Sequence, residues 1–209
     1  MYPEKVDHLS PGFDFTVAFV ESKTWFHSLH YAGEMLSDSH IDVIFHYFRK
    51  KAAVTKICKC SFTTTDVLFQ VSMERAYAAT LDKTFCWSSF ASICDTIGGL
   101  QLPYSKPWDE VEHVLMPLYI KKQMHWILAR FCIKDWCIYV YNSLNSYRDA
   151  SLAKEVVKPL LVMLPLFFRH MDHFSKHGFG IQRDIKLNFV PDLPVQLSNM
   201  SSNFHKKFN

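Results

Sequence analysis

Three apolar segments follow one another between residues 111 and 144, and they constrain the fold of this chain more than any other feature. They read VEHVLMPLYI, HWILARFCI and CIYVYNSL. Each is rich in β-branched and aromatic residues, and short polar breaks separate them, which is the pattern of consecutive strands joined by tight connections. We therefore predict an antiparallel meander. Glycines and prolines in the preceding segment, IGGLQLPYSKPW, predict a loop that leads into it.

Two segments with helical patterns precede that loop. LSDSHIDVIFHYFRKKA offers Ser37 or Asp38 as a cap, spaces its apolar residues as far as Phe48 on one helix face, and carries cations from Arg49 onward, where the helix dipole favours them. TTTDVLFQVSMERAYAAT offers a threonine cap and should end before Asp82. Its predicted apolar stripe comprises Val67, Leu68 and Val71.

A helical stretch and a short strand follow the meander. The helical stretch is DASLAKEVVKPLLVMLPLFFRHMDHF, and Pro159 and Pro165 are expected to kink it or split it in two. IKLNFV then predicts a last strand. Helices, then strands, then a helix and a strand indicate a segregated α+β domain rather than a regular βαβ alternation.

Length and composition restrict the class of protein. A chain of 209 residues with 49% hydrophobic residues can form one domain with a real core. A net charge of +3 is too mild to indicate a nucleic-acid partner. The N-terminus lacks the pattern of a secretory signal, and the longest apolar run, Leu160 to Phe168, is too short to span a membrane. We therefore expect an intracellular monomer, in the nucleus or cytoplasm, with no cofactor and with its six cysteines as free thiols.

The second and third predicted strands bring a histidine and a carboxamide together. If the hairpin turns at Lys134 and Asp135, the residue numbers of any two facing residues add up to 269. Asn142 then lies opposite Ile127, and its side chain is on the same face of the sheet as that of His125. A histidine that acts as a base needs an acceptor for its far ring nitrogen, and an amide oxygen on the adjoining strand can supply one. The alternative is that His125 ends an ordinary strand and Asn142 only begins a turn.

Two other groupings deserve comparison with that pair. Cys86, His125 and Asn142 follow the chain order of a papain-like triad, although the spacing between Cys86 and the histidine is too short for that fold, and a buried thiol is the alternative. His170, His173 and His177 share a predicted helix face, and Cys58 and Cys60 lie close together in sequence. Neither metal-like group has a second paired motif, so we expect no metal site.

The strand segments resemble those of the ubiquitin-like protease family, the cysteine peptidases that process or remove SUMO-type modifiers. HWILARFCIKDWCIYVYNSL is similar to the family's His-Trp strand and its following VYDSL strand, and LSDSHIDVIFHYFRKKA to the helix after its WLND segment. PWDEVEHVLMPLYI and VPDLPVQ resemble the strand before the histidine and the approach to the oxyanion glutamine. The details are closest to the branch found in plant genomes, often carried by transposable elements. The resemblance implies a papain-like α+β fold over 34–196, after an N-terminal extension at 1–33 and before a divergent tail at 197–209.

The resemblance also implies site residues. His125 matches the general base, Trp126 matches the aromatic residue that lines the substrate tunnel, and Gln196 matches the oxyanion-hole glutamine. Asn142 falls where the family has aspartate. An amide oxygen can orient an imidazole, but it cannot stabilise imidazolium with a full charge.

The nucleophile is where this sequence departs from the family. The family places its cysteine six residues after the glutamine, where this chain has Ser202, and no cysteine follows Cys137. We therefore expect a copy truncated before the catalytic cysteine, with the nucleophile helix missing. The resemblance then implies a cysteine-type peptidase domain that is inactive as it stands. The alternative is a binding module that holds a ubiquitin-like protein, its expected partner, without cutting it.

Overall fold

The computed structural model describes residues 4–31, 33–54, 61–144, 147–172 and 184–194. In chain order its helices and strands are α1 (Glu4–Asp7), β1 (His8–Asp14), β2 (Phe19–Ser22), α2 (Lys23–His30), α3 (Asp38–Val54), β3 (Phe62–Thr64), α4 (Val67–Leu81), α5 (Ala91–Ile97), β4 (His113–Ile120), β5 (His125–Cys132), β6 (Cys137–Tyr141), α6 (Tyr147–Met171) and β7 (Lys186–Phe189). Within these ranges no helix combines the length and apolar character that crossing a membrane requires.

A five-stranded mixed sheet in the order β3-β4-β5-β6-β7 forms the centre of the fold. The three predicted strands are its antiparallel middle, β4, β5 and β6. The predicted register is also observed, since Leu128 faces Tyr141 and Cys132 faces Cys137. The predicted last strand is β7, which pairs with β6 in parallel. The strand β3 falls where the sequence predicted the start of a helix, and it pairs with β4 in parallel.

The two faces of the sheet are covered differently. One face carries Val114, Met116, Ala129 and Phe131, which are fully buried in the main core with side chains of α4, α5 and α6. The other face packs part of its surface on α3, through Leu115, Trp126 and Leu128. The helices therefore flank the meander, as the α+β prediction required.

The helix α3 has the predicted position but a different buried face. Ile41 and Phe45 are buried, whereas Phe48 is 46% exposed. Arg49 is not a solvated cation at the helix end but is 2% exposed, and its guanidinium donates to Pro103 O at 3.1 Å and to the hydroxyl of Thr64. Arg49 therefore ties α3 to β3 and to the loop before β4, which explains why a cation is buried here.

The helix α4 ends before Asp82 as predicted, but its cap and its stripe differ from the prediction. The cap is Asp66, whose Oδ1 accepts from Phe69 N–H at 2.9 Å. Val67 is buried as predicted, but Leu68 and Val71 are exposed, and Phe69 and Met73 are buried in their place. The main core contacts α4 through Phe69 and Met73, which are four residues apart and so share one helix face. Val67 packs instead with Ile41 and Phe45 of α3.

Of the two expected effects of the prolines on the last helical segment, a kink or a split, the split is wrong. The helix α6 runs unbroken from Tyr147 to Met171 with Pro159 and Pro165 inside it. Each proline removes one backbone donor. The helix nevertheless continues because it buries a long apolar face, on which Leu160, Leu164 and Phe168 are almost fully buried. At about 1.5–3 kcal/mol for each fully buried side chain, that face offsets a local cost of about 3 kcal/mol per proline.

Candidate active site

His125 and Asn142 lie at one end of the sheet, where β5 begins and β6 has just ended. His125 Nε2 and Asn142 Oδ1 are 3.1 Å apart, which is hydrogen-bonding distance. His125 is 8% exposed and directly follows Met124, whose φ of 48° turns the chain from β4 into β5. The predicted register of the β5–β6 hairpin thus brings together His125 and Asn142, the pair that the sequence indicated.

The hydrogen bonds of Asn142 also indicate which nitrogen of the histidine ring donates to it. The N–H of Leu144 donates to Asn142 Oδ1 at 3.0 Å, so the atom that faces it must be the amide oxygen. That oxygen can only accept, so His125 Nε2 carries a hydrogen, and in the neutral ring Nδ1 then carries the lone pair. Nδ1 is therefore the ring nitrogen that could take a proton from a nucleophile. The Ser143 hydroxyl lies 3.4 Å from Nε2 on the same side of the ring.

Trp126 forms one wall of a cleft on the opposite face of the sheet. Its indole N–H donates to Leu36 O at 2.9 Å, and its ring lies 4.8 Å from the ring of Tyr119, its partner across the strands. The cleft has a volume of about 580 Å³. Its lining residues are Met35, Leu36, Ser37, Asp38, Ser39, Tyr119 and Trp126. It is thus an open slot with an aromatic wall, formed by Tyr119 and Trp126, and a polar lip at the start of α3, formed by Ser37, Asp38 and Ser39.

Gln70 of α4 supports this cleft and was not among the predicted site residues. Its Oε1 accepts from Tyr119 N–H at 2.6 Å, and its Nε2 donates to Tyr119 O at 3.1 Å and to Glu74 at 2.7 Å. Gln70 is 6% exposed. A glutamine within the apolar pattern of a helix was the signal that could have indicated a buried backbone contact.

The described cysteines lie apart from the cleft. Among the residues that the structure places, none that lines the cleft is a cysteine. Cys132 and Cys137 face each other at the far end of β5, about 23 Å from His125 at about 3.3 Å per residue. Burial raises the pKa of both thiols. All four cysteines in the described ranges are free thiols, as expected.

Cys86 is exposed rather than buried, which corrects the alternative given for it. Its Sγ lies 3.1 Å from Ser88 Oγ, and the hydrogen bond with Ser88 lowers the pKa of the thiol. The next residue, Trp87, packs its ring on His170 of α6 at 3.9 Å. No hydrogen bond between Cys86 and His125 is found in the described part of the chain, so the papain-like order has no counterpart in geometry.

Several predicted residues fall outside the described ranges. These are Gln196, Ser202, Cys58, Cys60, His173 and His177. His170, the remaining member of the metal-like groups, stacks on Trp87 with an interplanar angle of 5°. The described ranges contain no group of three or more potential metal ligands.

The sequence matches one known protein family. Residues 34–205 match the profile of the Ulp1 protease family, C-terminal catalytic domain. The match contains α3, the whole sheet, His125, Trp126 and Asn142. No curated protein sequence matches the chain significantly.

Two of the similar solved structures share the fold. A structure of the SUMO protease Ulp1 with its catalytic cysteine oxidised to a sulfinic acid is 16% identical, with a TM-score of 0.53 over 88% of this chain and 67% of that one. A de-sumoylating protease is 17% identical, with a TM-score of 0.54 over 88% of this chain and 64% of that one. The C-terminal Ulp1 protease domain in complex with Smt3, the yeast ortholog of SUMO, is 19% identical, with a TM-score of 0.49 over 84% and 63%. The chain spans about two thirds of the length of these structures.

Proposed function

The chain belongs to the Ulp1 protease family, and from this premise we propose that it binds the C-terminal tail of a SUMO-type modifier in the Trp126 cleft without cleaving the bond that follows the tail. Family membership supports the choice of partner, because similar structures include a SUMO protease and a de-sumoylating protease. The observation that carries the proposal is the cleft walled by Trp126 and Tyr119, which opens at the end of β5.

The geometry of β5 supports a path for the tail. Side chains alternate along a strand, so His125 and the next residue, Trp126, point to opposite faces of the sheet. A peptide that lies along the Trp126 ring and continues past the end of β5 would bring its last carbonyl to the His125 side. An extended tail suits this cleft because its aromatic wall offers an apolar surface and its lip offers polar groups.

The proposal that cleavage does not occur depends on the nucleophile. The family position for the cysteine is Ser202, and a serine hydroxyl titrates far above a thiol, so His125 would have no preformed thiolate beside it. The orientation of the imidazole alone does not give peptidase activity. An amide at position 142 also stabilises imidazolium less than the family's aspartate would.

The competing function is an active peptidase, which the preserved pairing of His125 with Asn142 favours. One experiment separates the two. The protein is titrated with a SUMO protein that has its complete tail, with the same protein lacking its last four residues, and with ubiquitin, and binding is measured by calorimetry. Hydrolysis of a fluorogenic derivative of the complete SUMO protein is followed in parallel.

We expect binding of the complete SUMO protein, loss of most of that binding when its tail is shortened or when Trp126 is replaced by alanine, and no hydrolysis. Hydrolysis above background would favour the peptidase. Equal affinity for complete and shortened SUMO proteins would contradict the use of the Trp126 cleft.

A further inference from the structure

A closed set of hydrogen bonds joins α2 to the start of α3. The indole Nε1–H of Trp25 donates to Ser39 Oγ at 2.9 Å, and the backbone carbonyl of Trp25 lies 2.8 Å from His40 Nε2. The His40 ring also stacks on the Trp25 ring, with centroids 4.3 Å apart and an interplanar angle of 18°. Trp25 thus contacts the start of α3 in three ways, through its indole N–H, its backbone carbonyl and the face of its ring.

The directions of these bonds are fixed by the groups that can only donate. The N–H of Ser37 donates to His40 Nδ1 at 2.9 Å, so Nδ1 is an acceptor. His40 Nε2 therefore carries the hydrogen and donates to Trp25 O. The Ser37 hydroxyl lies 2.6 Å from Nδ1 and 3.0 Å from Ser39 Oγ, which closes the network. His40 is 3% exposed, so this network has little access to water.

The segment held by this network is the lip of the Trp126 cleft. Ser37 and Ser39 belong to both the network and the cleft lining. Leu36, the residue before them, provides the carbonyl that accepts from Trp126 Nε1–H. The position of the Trp126 ring and that of the lip are therefore coupled to α2, an element that precedes the residues matched by the family profile.

We infer that Trp25 and His40 are positioning residues that fix the polar lip, and through it the Trp126 wall, of the cleft. Neither side chain lines the cleft. They act through Ser37 and Ser39, so that the slot is already formed before a ligand enters, which saves the cost of ordering the lip on binding. As far as it concerns the ligand, this inference rests on the proposed function, whereas the coupling of the lip to α2 does not.

Two substitutions in the full chain test the coupling. Trp25→Phe removes the indole N–H and keeps an aromatic ring on His40. His40→Phe removes both ring nitrogens and keeps a ring of similar size on Trp25. Trp87→Phe is the matched control, because it removes an indole N–H from a partly exposed tryptophan that packs on α6 away from the cleft.

The first readout is hydrogen exchange of the Trp126 indole N–H, followed by NMR without any ligand. We expect exchange about tenfold faster in Trp25→Phe and in His40→Phe, and unchanged in Trp87→Phe, because loss of one buried hydrogen bond has an effect of that order. The backbone amide of Ala129 in the core should keep its exchange rate. An unchanged Trp126 rate, or an equal acceleration at Ala129, would overturn the inference, since the latter would show general destabilisation.

The second readout is affinity for a SUMO protein with its complete tail, which should fall by about tenfold in both variants and not in Trp87→Phe. Equal affinity in all three would overturn the role of the lip in binding. Absence of binding by the unmodified chain would contradict the proposed function instead, and the exchange result would still decide whether α2 fixes the lip.

Discussion

Gln70 of α4 holds both backbone groups of Tyr119 in β4, with its Oε1 2.6 Å from the N–H and its Nε2 3.1 Å from the carbonyl oxygen. The ring of Tyr119 in turn packs on Trp126. The buried side-chain amide of Gln70 thus anchors the end of β4 to α4. Through the backbone of Tyr119 it also supports the aromatic wall of the cleft.

Gln70→Met should destabilise the fold. Methionine fills a similar volume but leaves the N–H and the carbonyl of Tyr119 without these partners, at a cost of about 1–3 kcal/mol. Chemical denaturation should show a lower midpoint with an unchanged slope. Gln101→Met, at an exposed position, is the control and should change the free energy of unfolding by less than about 0.5 kcal/mol. Equal effects of the two variants would show that the Tyr119 contact contributes nothing.

Asp42 makes stability depend on pH. Burial raises its pKa to about 6 from a usual value of 3.8, although Val67 N–H donates to its Oδ1 at 3.0 Å. Because the folded pKa lies above the unfolded one, the favourable contribution is fully present below the unfolded value of 3.8 and is lost as the pH rises through about 6. Asp42→Asn keeps an oxygen for Val67 N–H and removes the buried charge.

The melting temperature of Asp42→Asn relative to the unmodified chain should therefore rise between about pH 4 and pH 7 and then level off. Attraction to Arg49, a smaller influence on the pKa, is lost in the variant and reduces this gain without changing its direction. Thermal melts at half-unit pH intervals provide the measurement. A difference that stays constant across this range would show that Asp42 does not titrate near pH 6.

The thiols should differ in reactivity. Cys86 is exposed and the pKa of its thiol is lowered by Ser88, whereas burial raises the pKa of Cys132 and Cys137. Of the four cysteines that the structure describes, Cys86 should be alkylated first by iodoacetamide, as read by mass spectrometry of peptides. Ser88→Ala should slow that labelling.

The same chain should not be captured by a vinyl-sulfone probe built on a SUMO-type modifier, because no cysteine lies in the cleft among the residues that the structure places. Covalent capture at any cysteine, Cys86 included, would show that a thiol reaches the end of the bound tail, and would contradict the proposal that the chain does not cleave.

Local patterns predicted the middle of the fold and the pair in the candidate site. A hairpin with a short turn has one register, so the positions of Lys134 and Asp135 were enough to place Asn142 beside His125. Burial alternates along most of β4 and β5, as the period of two of a strand requires, with Pro117 and Cys132 as exceptions.

The remaining features depend on contacts between residues far apart in sequence. Trp126 bonds to Leu36, and Arg49 to Pro103, across separations of 90 and 54 residues that no local pattern encodes. The unbroken α6 likewise depends on the apolar face that it buries against the sheet, which outweighs the effect of Pro159 and Pro165 on their own turns. Tertiary packing overrode local propensity at these positions.

The protonation state and environment of His125 test the central claim most directly. Long-range ¹H–¹⁵N NMR of the imidazole reports which nitrogen carries the hydrogen and whether a ligand approaches the other. We predict hydrogen on Nε2 in the free protein, since Asn142 Oδ1 accepts from it. Asn142→Leu should lose this preference, whereas Ser143→Ala, which leaves the amide oxygen in place, should keep it. A SUMO protein with its complete tail should shift the Nδ1 resonance, and the same protein without its last four residues should not. Hydrogen on Nδ1 instead of Nε2 in the free protein would contradict the account. So would an Nδ1 resonance that does not shift when a SUMO protein with its complete tail is added.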